Sequence, residues 1–488
     1  MRICLVAEGC YPYVVGGVSS WLHNLIKFFP EHEFIVFTIV ADRSFRGKFV
    51  YELPENVIQV HELYLNDADW SRKRHRRHRL GRREYRALRS MLLNQQMETE
   101  WDTLFAMFQR ENISLNDILM GEDFFRAVTE FYNLKYSQLV FTDFLWMMRS
   151  VYLPLFTVMQ MKIPRADVYH CVATGYAGVV GSMAKHIYGG HLLITEHGIY
   201  TREREEELIK AKWVQGVFKD IWIEQFQKMS RLAYGEADMV TSLFEHARQL
   251  QVEEGCPVQK TMVVPNGIPV GNFSKLPGKT KEDEGKINVG AVVRVTPIKD
   301  LMTMIQAFGF AKEKEPDLRF FIIGSLEEEE EYARECMDLV QTMGIRDITF
   351  TGSVDVKEYY GRMDMTILTS ISEGQPLTIL ESFAAHKPVI ATDVGDCRAL
   401  ILGEGDSFGE AGIVTRIMNV EEISMAILTL AHNEKLRVAM GENGYRRVVA
   451  NYTIEKLQDT YRNIYHDLAG SIRPVREGKG ANHGGRWH

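Results

Sequence analysis

The sequence predicts an α/β protein with two parallel-sheet domains. Three observations carry this: apolar runs of strand length recur along the chain, segments of helical spacing alternate with them, and a Gly-, Lys- and Glu-rich stretch divides one alternating series from another. At 488 residues the chain is too long for one ordinary core, and its 45% hydrophobic residues are enough to fill two or three. A formal charge of -8 speaks against a general nucleic-acid binder, whose affinity rests on neutralising phosphates with Lys and Arg. Cys4, Cys10, Cys171, Cys256, Cys336 and Cys397 are scattered, with no C-x-x-C pair, and read as buried free thiols of a reducing compartment.

The first series opens with strands over 3–7, 34–40 and 57–61 and a helix over about 18–29. Glu8 directly follows the first apolar run, so no signal peptide is read there. Gly16 and Gly17 precede the helix; they either let a ligand approach backbone N–H groups at a helix start or form a plain tight turn. Over about 65–162 the pattern changes to a helical insertion rich in Met, Arg and Glu. Its most apolar part, 139–161, is interrupted by Asp143, Arg149 and Pro154, which argues against a membrane span and leaves a cytoplasmic protein as the expectation. A basic run from Arg72 to Arg79 reads either as a solvated loop or as a surface for anionic headgroups or an acidic partner. Strands over 167–171, 191–196, 237–242 and 261–264 follow, with helices over about 178–187, 205–234 and 245–253, a pattern that implies a parallel sheet.

The first domain is therefore expected over 1–270 and a linker over 271–286. A second series runs over 287–452, with strands over 287–293, 318–323, 347–350, 365–368 and 388–391. A last helix within 453–470 is expected to reach back to the first domain, and the Gly-rich tail 471–488 to be disordered.

The stretch 372–385, S-E-G-Q-P-L-T-I-L-E-S-F-A-A, ends a strand and opens a helix near Gln375, with Pro376 suited to the first helical position. Backbone N–H groups at such a start attract an anion. Glu381 falls on the face carrying Leu377, Ala384 and Ala385, so its carboxylate needs donors, and ligand hydroxyls are one source. The plain alternative, a helix-start Glu favoured by the dipole, explains Glu373 better than Glu381, since the dipole effect fades beyond the first turn. Arg294 and Lys299 follow the first strand of the second series and can reach a pyrophosphate from one loop, the work otherwise given to a metal ion; the plain alternative is two solvated cations. Glu196-His197-Gly198 sits at the carboxyl end of a strand, where open α/β sheets bind ligands. Gly352, Ser353 and Val354 close another strand, as an ordinary turn or as a close approach to a base. Three further patterns fail. The glycines of 271–280 are spaced wrongly for a phosphate loop, Gly403, Gly405 and Gly409 miss the dinucleotide fingerprint, and Asp67 with Asp69 lacks supporting metal ligands.

Taken together, Arg294 with Lys299, Glu373 with Glu381 in an E-x7-E motif, Gly16-Gly17 and Glu196-His197-Gly198 resemble the retaining glycosyltransferases of family GT4, which have the GT-B architecture. Within it, the stretches 12–21 and 195–204 and the long helical insertion are similar to the glycosyltransferases of Pel-type exopolysaccharide synthesis. The resemblance implies two Rossmann-like domains facing a central cleft and transfer of a hexosyl unit from a UDP-sugar, UDP-glucose or a UDP-N-acetylhexosamine, to a polysaccharide acceptor, in partnership with a membrane-bound synthase complex. It implies no metal and no cofactor. Arg294 and Lys299 would hold the diphosphate, Glu381 the ribose hydroxyls, Glu373 and His197 the donor sugar. Backbone N–H groups in the stretch from Gly374 to Leu377, those of Gly374, Gln375 and Leu377 around Pro376, would assist, Gly17 would approach the diphosphate from the first domain, and Gly352 to Val354 would border the uracil. Retention in this family is pictured with a donor phosphate oxygen accepting the acceptor's proton, so no protein nucleophile is needed. Asp396 departs from the family, where many members carry a second glycine after Gly395. Two other classes stay open: a nucleotide-sugar epimerase on the same architecture, and a non-catalytic scaffold subunit of a synthase complex.

Overall fold

The computed structural model describes residues 1–66, 79–93, 98–110 and 113–470. Asp67, Asp69, the basic residues 72–78 and the tail 471–488 lie outside the described residues. The first sheet contains β1 (Arg2–Glu8), β2 (Glu33–Val40), β3 (Val57–Tyr64), β4 (Val168–Cys171), β5 (His191–Glu196), β6 (Met239–Ser242) and β7 (Thr261–Val263), in the order β3-β2-β1-β4-β5-β6-β7. The second contains β8 (Ile287–Val292), β9 (Leu318–Ile323), β10 (Ile348–Gly352), β11 (Met365–Leu368), β12 (Val389–Thr392) and β13 (Gly412–Thr415), in the order β10-β9-β8-β11-β12-β13. Their pairs are parallel, as in β1 with β2 and β4, and in β8 with β9 and β11. This is the expected α/β architecture with two Rossmann-like sheets. The strands form because they are continuous apolar runs: Ile3 to Ala7 and Phe34 to Val40 are buried throughout, as strands covered by helices on both faces must be. The strand order reverses between β1 and β4 in one sheet and between β8 and β11 in the other. Such reversals open a crevice at the carboxyl ends of the strands.

By their contacts the residues group into two compact units. The first takes Met1–Thr195, Tyr200–Met239 and the last helix from Tyr461; the second takes Glu196–Ile199 and Val240–Thr460. In the first unit, the segment between β3 and β4 is helical, with helices at Arg82–Leu93, Trp101–Phe108, Leu115–Leu119, Glu122–Phe131 and Phe141–Gln160. Phe108, Phe124 and Phe156 form its aromatic centre, with Phe108 and Phe156 ring centroids 4.7 Å apart. No single described helix is long and apolar enough to cross a membrane, although Glu122–Tyr136 and Phe141–Gln160, bent by 117°, pass that test as a pair. Lys228 fastens this segment from below: its fully buried ammonium donates to Met91 O and to Tyr152 Oη at 3.3 Å, and burial pushes its pKa down to about 7.

Two readings need correction. The single helix expected over 205–234 is two, Tyr200–Lys210 and Val217–Glu236, because Gly216 takes φ +55° and ψ -140°, a backbone conformation closed to L side chains. Pro376 is the cap of its helix, with extended φ -74° and ψ 118°, and the helix itself is Leu377–Ala384. Within 271–286 the composition reads as solvated, yet Asp283 is fully buried. It takes Arg362 Nε at 2.9 Å and Arg319 Nη1 at 3.1 Å, and against burial the hydrogen bonds from Arg362 and Thr280 hold its carboxyl well below the usual range. The cysteines are free thiols, all buried except the half-buried Cys10.

Candidate active site

The reversal between β8 and β11 brings together residues predicted from separate motifs. Lys299 ends the 3-10 turn Pro297–Lys299 after β8, and Glu373 lies in the loop after β11. Lys299 Nζ donates to Glu373 Oε1 at 2.5 Å, and Ser370 Oγ donates to the same oxygen at 2.5 Å. Both side chains are mostly buried, 17% and 10% exposed, so this pair is held in a medium where charge interactions are strong. Asp300, at φ +47°, turns the chain from that loop into the helix Leu301–Lys314, and Thr369 Oγ1 holds the turn by donating to Lys299 O and Asp300 O, each at 3.1 Å. Thr392 Oγ1 in turn donates to Ser370 O at 2.6 Å, so the loops after β8, β11 and β12 are latched in series.

Arg294 is not in this pair. Its guanidinium donates to Glu328 at 2.8 Å on the surface, with 59% and 41% of the two side chains exposed. An ion pair so exposed is worth about 0–1 kcal/mol, so it gives way readily to a stronger anion.

The helix start beside Glu373 is clamped from two sides within the second unit. Gln375 Oε1 accepts from Asn266 N at 2.7 Å, while its Nε2 donates to Asp396 Oδ2 at 2.7 Å and Leu243 O at 3.2 Å. The Gln375 side chain is thus structural, and only its backbone faces the helix start. Gly395, at φ +53°, lies so close that a Cβ there would sit 2.2 Å from Glu373 O, and Asp396 N donates to Gly374 O at 2.9 Å. A Cβ on Gly374 would come within 3.0 Å of His197 O, so the Glu196–Ile199 segment runs against the Glu373–Leu377 loop. Burial pushes the His197 imidazole down to about 4, which keeps it neutral at pH 7. Glu196 is buried and accepts from Gln251 Nε2 at 2.9 Å.

Glu381 does not wait for a ligand to satisfy it. Leu377 is 37% exposed, so the face is mixed rather than apolar, and Tyr360 Oη, itself fully buried, donates to Glu381 Oε2 at 3.0 Å. Burial raises the carboxyl, and the Tyr360 hydroxyl partly opposes that. Gly352, at φ +69°, ends β10, and its carbonyl accepts from Gly324 N at 3.1 Å; Val354 is exposed. In the first unit, Gly16 caps and Gly17 opens the helix Gly17–Phe28, and neither would meet an atom within 4 Å if it carried a Cβ. Open space there leaves room for a ligand against the backbone.

Glu8 was not singled out as a site residue. It ends β1 at the first sheet's reversal, accepts from Ala177 N at 3.2 Å and from Tyr200 Oη at 3.1 Å, and burial raises its pKa against the pull of Arg204. Its position directly after the first strand was the signal available.

The two sheets and their reversals define a protein of GT-B type, and comparison with solved structures agrees. The fold matches Anabaena Alr3699/HepE in complex with UDP at a TM-score of 0.60 and 14% identity, over 96% of this chain and 100% of that one. It matches sucrose-phosphate synthase from Thermosynechococcus elongatus at a TM-score of 0.59 and 16% identity, with the same shares covered. Residues 272–447 match the family of glycosyl transferases group 1. Residues 1–259, more than half of the chain, match the family described as a domain of unknown function (DUF3492), and the chain belongs to that family. Among curated relatives, the lipopolysaccharide core biosynthesis mannosyltransferase LpcC of Rhizobium leguminosarum bv. viciae is 35% identical over 28% of this chain and 37% of its own length. An MMP alpha-(1->4)-mannosyltransferase of Mycolicibacterium hassiacum is 23% identical over 63% of this chain and 72% of its own. The chain spans 37%, 23% and 40% of the first three curated relatives it matches.

Proposed function

We propose that this protein is a retaining, metal-independent glycosyltransferase that moves a hexosyl unit from a UDP-sugar to a growing exopolysaccharide of the Pel type. It acts in the cytoplasm, alongside a membrane-bound synthase complex. The observation that carries the reading is the buried Lys299–Glu373 pair at the reversal of the second sheet, set against the start of the helix Leu377–Ala384. A diphosphate there meets a cation, the backbone N–H groups of Gly374, Gln375 and Leu377, and Arg294 once it leaves Glu328. HepE, which shares the fold, was solved with UDP and with UDP-glucose, and this supports the choice of nucleotide.

In this reading Lys299 and Arg294 stabilise charge on the departing UDP as the glycosidic bond breaks. Glu373, released from Lys299 by the incoming phosphates, turns to a hydroxyl of the donor sugar. The neutral His197 imidazole gives one hydrogen bond to the same sugar and does not protonate the leaving group. Glu381 keeps one oxygen on Tyr360 and offers the other to the ribose. Gly352, Ser353 and Val354 border the base. The acceptor hydroxyl attacks from the leaving-group face and loses its proton to a donor phosphate oxygen, so configuration is retained.

The test is calorimetric titration with a panel of UDP- and GDP-sugars, followed by transfer assays that read the anomer formed. UDP-sugars are expected to bind, and Lys299→Met to lower kcat by about 10²- to 10³-fold, the range found for losing one charge-stabilising donor. Absence of binding by every nucleotide sugar would sink the reading. Conversion of a UDP-sugar into its epimer without acceptor would replace transfer by epimerisation. Intact polymer production by both Glu373→Ala and Arg294→Ala would leave a scaffold.

A further inference from the structure

Helices Tyr200–Lys210 and Val217–Glu236 pack together in the first unit, directly after the Glu196–Ile199 segment. Their joint holds a concentration of buried polar atoms that have no hydrogen-bond partner among the described residues: Thr201 Oγ1, Arg204 Nε, Trp222 Nε1 and both amide atoms of Gln225. Thr201, Trp222 and Gln225 are 6%, 8% and 2% exposed. They share one place by helical spacing, since Thr201 and Arg204 lie one turn apart on one helix, beside Tyr200, and Trp222 and Gln225 lie one turn apart on the other, beside Phe226. Rings confirm the meeting: Tyr200 lies 5.8 Å from Phe226, and Trp222 lies 5.7 Å from Phe226. Trp213, in the turn that joins the helices, stands edge-on to Trp222 at 5.8 Å and is 67% exposed.

A joint with only a packing role would be filled with apolar side chains, because each unpaired buried polar atom destabilises the fold. Here indole N–H, amide, hydroxyl and guanidinium groups stand beside aromatic faces. That mixture suits a saccharide, whose hydroxyls both give and accept hydrogen bonds and whose C–H faces lie against rings. The joint also adjoins the first sheet's reversal, since Tyr200 Oη donates to Glu8 at 3.1 Å.

We propose that this joint is a saccharide-binding site that holds the growing glycan acceptor, with Trp213 as its outer platform and Thr201, Trp222 and Gln225 as partners for sugar hydroxyls. Its assignment to the acceptor rests on the transferase reading. Oligosaccharide binding to the full chain tests it, followed by tryptophan fluorescence, with a linear glucose hexamer and a linear N-acetylhexosamine hexamer as probes.

Wild type is expected to bind at least one hexamer. Trp213→Ala and Gln225→Met are expected to weaken that binding about tenfold or more while UDP binding holds. Thr201→Val and Gln225→Met, which remove the unpaired atoms at nearly constant volume, are expected to raise the melting temperature by about 2 °C or more. Failure of wild type to bind either hexamer while it binds UDP overturns the proposal, as do unchanged hexamer binding in the variants and a lowered melting temperature in Thr201→Val and Gln225→Met. Hexamer binding without any nucleotide-sugar binding would uphold the saccharide site and remove only the transferase reading.

Discussion

Asp396 stands where many members of the family that the sequence resembles carry a second glycine, and the structure gives it a part of its own. It is 5% exposed and takes the Gln375 amide at 2.7 Å, so it fixes the loop whose backbone forms the helix start beside Glu373. Burial pushes its carboxyl up to about 7, with the Gln375 amide opposing and Glu404 adding to the rise. A raised carboxyl means that the folded chain holds a proton which the unfolded chain has lost. The stability this contributes is complete below the unfolded value of 3.8 and is lost as pH rises toward 7. Between pH 5 and 7 that loss amounts to about 2 kcal/mol. His197 runs the other way, since its lowered pKa costs stability as pH falls from 6.5 toward 4, so the two must be separated by difference. Denaturant melts of wild type and Asp396→Asn at pH 5, 6 and 7 are expected to converge upward in pH, the variant losing its wild-type deficit by pH 7. Parallel curves would show that Asp396 ionises normally. Across the same pH range the variant should also hold its donor KM steady, where wild type drifts upward.

Among the elements, the last helix, Ile454–Gly470, adds a polar tie to the ring contacts Trp21–Tyr461 and Phe29–Tyr465. Tyr465 Oη bonds His170 Nδ1 at 2.8 Å, His170 Nε2 bonds Thr195 Oγ1 at 2.8 Å, and Thr195 Oγ1 bonds Tyr461 Oη at 3.0 Å, all in the buried interior. Removing the terminal hydroxyl takes the 2.8 Å hydrogen bond away from a buried ring nitrogen, so Tyr465→Phe is expected to cost about 1–3 kcal/mol, read as a fall in the urea midpoint at constant m-value. A change in m instead would mean that the helix had come away altogether. This chain of partners also marks the limit of the sequence. Strands such as Ile3 to Ala7 were legible because burial on both faces writes itself as an unbroken apolar run. Lys299 and Glu373 were each legible as residues of strand-end loops, but their pairing was not, since the sequence set Lys299 beside Arg294 and Glu373 beside Glu381. The helix break at Gly216 was not, since one glycine in a polar helical pattern reads as tolerated. Nor was the role of Gln375 or the Tyr360 partner of Glu381, because both depend on residues brought in from elsewhere in the fold.

For the whole molecule, the decisive feature is that each of the two sheets has its own reversal of strand order, and each reversal carries a half-buried or buried carboxylate with hydrogen-bonding neighbours, Glu8 in one and Glu373 in the other. The proposed transfer needs two recognition problems solved, donor and acceptor, and two reversals allow them to be solved by separate sets of residues. Hydrogen exchange with each ligand alone makes this separable. A ligand at about 100 times its Kd stabilises the state that binds it by about 2.7 kcal/mol, enough to slow exchange about a hundredfold in any segment whose opening releases it. UDP should therefore protect 292–303 and 368–397, the loops after β8, β11 and β12, together with the Glu196–Ile199 segment. A saccharide hexamer should protect Tyr200–Lys210 and Val217–Glu236. The sharper outcome lies in the cross-terms: with UDP alone, Val217–Glu236 should exchange as in the free protein, because none of the groups assigned to the diphosphate lies on that helix. Protection of that helix by UDP to the same degree as by the hexamer would mean that one site serves both ligands, and the division of labour between the reversals would fall.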